Sequence, residues 1–214
     1  MNARIRQATV TAGAVAMLLG AISCGDVART GRSPSVVVID ALVAASGAAS
    51  GQFNGFLNSD VVVMKTEKVN GVDTPVATIV NDIGKATLRL ILKDLGSPAG
   101  EATPTSLNQV TINRYRVVFR RADGRNAQGV DVPYAFDGAA TGTVTPSGID
   151  LVFELVRHSA KEEAPLMALR GQGGRIEIAT IADITFYGRD LAGNEVAVTG
   201  SISVDFADFA DPSA

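Results

Sequence analysis

The chain has 214 residues, 46% apolar and 19% charged, with 22 Gly and 8 Pro. That composition folds around a real core and is neither disordered nor collagenous. Nineteen Lys plus Arg against 22 Asp plus Glu give a net charge of −3, so the broad positive field of a nucleic-acid binder is missing and no nucleic-acid partner is expected. One His, one Cys and no Trp leave little material for a triad, a zinc site or a thiol nucleophile.

At the N-terminus, Arg4 and Arg6 precede the apolar or small run Ala8 to Ser23 (ATVTAGAVAMLLGAIS), and no acid stands before Asp26. This is the layout of a secretory signal peptide. The run falls short of the roughly 20 apolar residues that a spanning helix needs. It closes on Gly20-Ala21-Ile22-Ser23-Cys24, which resembles the lipobox of bacterial lipoprotein precursors, although Ala21 stands where the commoner form has Leu. The resemblance implies that residues 1–23 are removed and that Cys24 carries a diacylglyceryl group and further acyl chains of the palmitate type. The alternatives are ordinary signal cleavage, which leaves a free thiol at Cys24, and retention of the segment as a helix. A disulfide-stabilised secreted domain would show an even set of cysteines, and here there is one.

Two or three acyl chains make a stable membrane anchor, whereas one is marginal. Gly25 stands where enteric lipoproteins kept at the inner membrane have Asp, so the outer membrane is favoured. Losing residues 1–23 removes two Arg and no acids, which leaves a mature charge of −5. Residues 24–34 form the lipidated Cys and a flexible tether; ten such residues span about 17–19 Å and hold the following domain close to the membrane.

From Ser35 the chain predicts an all-β domain over residues 35–208, with a short tail at 209–214. Its strands, rich in Val, Ile, Thr, Phe and Tyr, are expected at Ser35–Ala45, Asp60–Lys65, Pro75–Val80, Ala86–Lys93, Gln109–Arg121, Thr141–Thr145, Ile149–Arg157, Arg175–Asp190 and Glu195–Phe206, about nine in all. Small-residue stretches at 44–55 and 96–106 read as loops. The segment His158–Leu169 reads as a crossover between sheets, with one turn of helix around Ala160–Ala164 that Pro165 stops. In the last strand, Val196, Val198, Gly200, Ile202, Val204 and Phe206 alternate with Ala197, Thr199, Ser201, Ser203 and Asp205, a clean period of two.

The stretch Ala182 to Val196 contains a D-x-x-G-N turn, Asp190-Leu191-Ala192-Gly193-Asn194, and resembles the final hairpin of bacterial immunoglobulin-like and fibronectin-type domains. The resemblance covers about 30 residues. It implies an antiparallel immunoglobulin-like β-sandwich of Greek-key type, without the disulfide, and no particular ligand. A local likeness between FRRADGRN (119–126) and FYGRDLAGN (186–194) leaves open two small sandwiches in tandem.

No G-x-S-x-G, H-E-x-x-H, P-loop or S-x-x-K motif is present, and His158 has no partner assignable from spacing. The chain therefore reads as noncatalytic; a hydrolase using Asp and Glu from distant loops is the remaining catalytic option. Asp123, Asn126, Asp190, Asn194, Asp205, Asp208 and Asp211 offer oxygens for calcium, but they read better as turn formers, and no metal or cofactor is expected. Along 109–121, Arg114, Arg116 and Arg120 share a parity with Ile112 and Val118, opposite Tyr115, Val117 and Phe119. Such a face either pairs with acids on neighbouring strands or grips an anionic lipid or glycan. Tyr134 and Tyr187 are the aromatics left to stack a sugar. The expected function is that of an exported, lipid-anchored envelope module. It would bind a protein partner through a strand edge or loop, with the anionic-ligand face as the alternative. Oligomeric state is not legible.

Overall fold

The computed structural model describes residues 31–94, 96–97 and 100–209. The signal peptide, Cys24, most of the tether and Asp211 lie outside the described residues. In chain order the strands are β1 (Ser35–Ala45), β2 (Phe56–Asp60), β3 (Val63–Val69), β4 (Val72–Thr78), β5 (Asp82–Leu92), the two-residue strands β6 (Gly96–Ser97) and β7 (Gly100–Glu101), β8 (Val110–Arg120), β9 (Phe136–Gly138), β10 (Gly142–Val144), β11 (Ile149–Val156), β12 (Ile178–Asp190) and β13 (Glu195–Ala207). One turn of helix, α1 (His158–Lys161), and a 3-10 turn at Leu166–Leu169 occupy the connection between β11 and β12.

Three strands form one sheet in the order β1-β5-β11, and a six-stranded sheet runs β10-β8-β12-β13-β2, with β9 also on β8. Strands from both halves of the chain share each sheet. The chain crosses from the small sheet to the large one through 157–177, as the helix-stopping Pro165 and the polar run before it predict. The two sheets face each other across an apolar layer, a sandwich-like arrangement. Phe153 of β11 lies 5.2 Å, ring centre to ring centre, from both Tyr115 of β8 and Phe186 of β12. Phe119 meets Phe206 at 5.5 Å. Each such side chain contributes about 1.5–3 kcal/mol by leaving water.

Two glycines make room for those rings. A Cβ on Gly84 of β5 would sit 2.4 Å from Phe153 Cζ, and one on Gly138 of β9 would sit 2.3 Å from Tyr115 Cζ. The rings therefore pack against bare backbone, which a side chain there would prevent.

Several expectations need correction. The described residues hold thirteen strands, not about nine. The large sheet is not wholly antiparallel, because β2 pairs parallel with β13. The strand expected at Asp60–Lys65 straddles a break: Phe56–Asp60 belongs to the large sheet, while Val63–Val69 pairs only with β4. That β3–β4 hairpin turns through Asn70 (φ 53°) and Gly71 (φ 81°), the left-handed pair that a tight two-residue hairpin turn requires. It is almost wholly exposed. Helix α1 starts earlier than read, at His158, and ends at Lys161.

The last hairpin forms as its sequence predicts. Asp190 Oδ1 accepts the backbone N–H groups of Ala192 (3.0 Å) and Asn194 (2.8 Å), and Gly193 (φ 82°) takes the left-handed position. Along β12 and β13 the inward residues Ile184, Phe186, Ile202, Val204 and Phe206 are buried, while Thr185, Thr199 and Ser201 face outward.

Candidate functional site

Strand β8 supplies the arginine face. Tyr187 pairs with Arg114 and Gly188 with Ile112, which leaves Asn113 as the extra residue of a β-bulge. The bulge shifts the alternation by one. Ile112 is consequently buried in the core with Tyr115, Val117 and Phe119, not on the arginine side where strict parity put it. Arg114, Arg116 and Arg120 do share the exposed face.

All three arginines have acidic partners there. Asp137 of β9 accepts from Arg114 Nη1 at 2.9 Å and from Arg116 Nη1 at 2.6 Å. Arg120 donates through Nε to Asp183 of β12 at 2.6 Å. Burial works against the charge on Asp183, but hydrogen bonds from Arg120 and Ser201, with the Arg120 charge, outweigh it and hold its carboxyl below the ordinary range. Two guanidinium groups thus share the single carboxylate of Asp137. Arg114 also lies over Tyr187, 4.0 Å from guanidinium carbon to ring centre, so Tyr187 is covered on one side. Beside this stack a groove of about 290 Å³ runs between Asn113, Arg114, Tyr187, Arg189 and Glu195. Arg189 and Glu195 pair across it at 2.9 Å.

Most of the other residues considered from sequence are spoken for. His158 is exposed, and its Nδ1 lies 2.9 Å from Asn81 Oδ1, which also accepts the His158 backbone N–H at 2.7 Å. Asp123 is bound by Arg121 and Arg125, and Asp208 accepts the Gly171 N–H. Asp205 carries a carboxyl raised by burial. Among the described residues no group of three or more His, Cys, Asp or Glu could hold a metal ion. Tyr134 is half exposed and packs over Gly129.

A free sheet edge was not located in the sequence. Strand β2 covers β13 only from Ser203 to Ala207. Among the described residues no strand pairs with Glu195–Ile202 on that side, so its outward backbone groups have no strand partner, although β1 packs close by: a Cβ on Gly200 would stand 2.7 Å from Ile39 Cδ1 and 3.3 Å from Leu42 Cδ2. Against this edge a groove of about 500 Å³ lies between Val38–Leu42 of β1 and Val198–Ser201 of β13. Three other edges are blunted. β1 is broken by a bulge at Asp40, whose carboxylate takes Arg89 Nε at 2.8 Å and Nη2 at 3.0 Å. Strand β4 carries Pro75, and β11 is bulged between Glu154 and Val156. By contrast β13 runs in unbroken register with β12 from Glu195 to Phe206, and its nine residues Val196–Val204 include no charge and no Pro. Charge, Pro and bulges are the usual protections of an edge; from Val196 to Ile202 this one has none of them.

No helix among the described residues is long and apolar enough to cross a membrane. No known protein family, curated protein or solved structure matches the chain.

Proposed function

We propose that the chain is an exported bacterial lipoprotein, held to the cell envelope through acylated Cys24, with the outer membrane favoured. In this reading the immunoglobulin-like, Greek-key sandwich is a noncatalytic binding or structural module that offers the vacant edge of β13 to a strand of a protein partner. The observation that carries it is the open, uncharged stretch Val196–Ile202 beside a groove lined by β1. An extended peptide laid there gains a ladder of main-chain hydrogen bonds, with side-chain contacts for selectivity.

A second reading, capture of an anionic lipid or glycan by Arg114, Arg116 and Arg120, is favoured by one observation. Arg114 and Arg116 share the single carboxylate of Asp137, which leaves that part of the face with an excess of positive charge. Binding of this kind weakens as salt screens it.

The test is to express the full precursor in a bacterium, crosslink intact cells and analyse the product by mass spectrometry. The reading expects an acylated N-terminal Cys24 and one abundant protein joined near β13. An unmodified Cys24 would remove the anchor, and an acylated chain joined to no protein would remove the partner.

A further inference from the structure

We infer that the occupant of the vacant β13 edge is the same edge of a second copy of this chain, paired antiparallel about a two-fold axis near Thr199. This rests on the reading of that edge as the contact surface. The result is a continuous sheet made from the six strands of each copy.

The backbone decides the chemical class of the occupant. Strand β2 already pairs with β13 from Ser203 to Ala207, and the vacant stretch continues the same row of donors and acceptors. A row of alternating N–H and C=O groups is satisfied in full by another extended peptide.

Three features then favour a second copy. Antiparallel self-pairing sets each residue opposite its symmetry mate, so a charged strand would face like charge across the axis. Val196 to Val204 contain no charged side chain, and the acids beside them, Asp40 in the adjoining groove and Glu195 at the end of the stretch, are paired with Arg89 and Arg189, so no unpaired charge faces its own copy. An axis at Thr199 places Thr199 opposite itself, Val198 opposite Gly200, and Val196 opposite Ile202. The inward row thus meets apolar with apolar or glycine, and the outward row is small: Ala197, Thr199 and Ser201. Val196 and Val198, partly buried against the core, would be covered from the side now open. The segments 24–34 and 210–214 do not have the composition to fill the gap. Residues 24–34 (CGDVARTGRSP) and 210–214 (ADPSA) contain no run of alternating apolar residues.

An edge contact of about eight residues a side is small. Confinement of both copies to one membrane raises their effective concentration, so the test belongs in the membrane and on the full chain. Two differently tagged full-length copies are co-expressed, solubilised in mild detergent under reducing conditions, and co-precipitated. Thr199→Lys in both copies, or Thr199→Glu in both, should each reduce co-precipitation at least tenfold, and the Lys copy with the Glu copy should restore it. Restoration shows that both variants fold. No association of unsubstituted copies, or association indifferent to the charge pattern, overturns the second-copy assignment. A photoreactive residue at Ala197 in the same cells separates the two levels of the reading. An adduct with a different protein overturns the second copy while leaving the edge as the contact, and no protein adduct overturns both.

Discussion

Lys161 Nζ lies 2.9 Å from Asp82 Oδ2, and both side chains are wholly enclosed. Asp82 also accepts the Ser59 hydroxyl at 2.6 Å and the Gly47 backbone N–H at 2.8 Å, while Lys161 donates to the Asp60 carbonyl at 2.8 Å. The pair ties the crossover helix α1 to the start of β5, the end of β2 and the loop after β1. Neither charged side chain reaches solvent, so the two charges depend on each other.

Removing one partner strands the other in a medium of low polarity. Lys161→Met should destabilise the fold by about 3–5 kcal/mol, and Lys161→Met with Asp82→Asn should cost less than the single change, because no charge is left unpaired. Urea unfolding of the full chain reads both. A double variant no more stable than Lys161→Met would contradict this account.

Acid should loosen the last hairpin. Burial works against the charge on Asp190, but hydrogen bonds from Asn194, Ser33 and Ala192 outweigh it and hold its carboxyl below the ordinary value of about 3.8. The folded state therefore releases this proton more readily than the unfolded state. The stabilisation is complete above the ordinary carboxyl value and is lost as pH falls through the lowered one. Asp205, raised by burial, works in the opposite direction, so the comparison must isolate Asp190. The stability difference between the unsubstituted chain and Asp190→Asn should be larger at pH 6.5 than at about pH 2.5; equal differences would contradict the assignment.

Gly84→Ala should cost about 1–3 kcal/mol through overpacking, because the new methyl would overlap the Phe153 ring. Pairing it with Phe153→Leu should recover part of the loss. Thermal unfolding of the two variants measures this.

Asp137→Asn leaves Arg114 and Arg116 without their shared carboxylate. If that face holds anions, the variant should co-sediment with phosphatidylglycerol vesicles more strongly than the unsubstituted chain, and raised salt should abolish the gain. An unchanged vesicle affinity would remove the second functional reading.

How much of this was legible depended on the range of the interaction. Strands β12 and β13 and the turn between them follow from period-two alternation and from Asp190, Gly193 and Asn194, all local properties. The bulge at Asn113 left a weaker trace: Ile112 and Tyr115 are three apart, a spacing that a regular strand cannot bury on one face. Strand β2, FLNSD, is short and half polar, and only its partner β13 makes it a strand. Lys161, within the polar run KEE, reads as a solvated side chain; its burial is set by Asp82, 79 positions away in the chain. The open edge of β13 could not be read either, since an edge is defined by where β2 stops.

The central claim is that the vacant edge of β13 is where this module meets another polypeptide. Its most direct test is photocrosslinking in intact cells from the full chain, with the photoreactive residue placed in turn at Thr199, on the edge, and at Thr185, inside the same sheet face. The account predicts a discrete protein adduct from Thr199 and none from Thr185. Equal adducts from both positions, or none from Thr199, would contradict it.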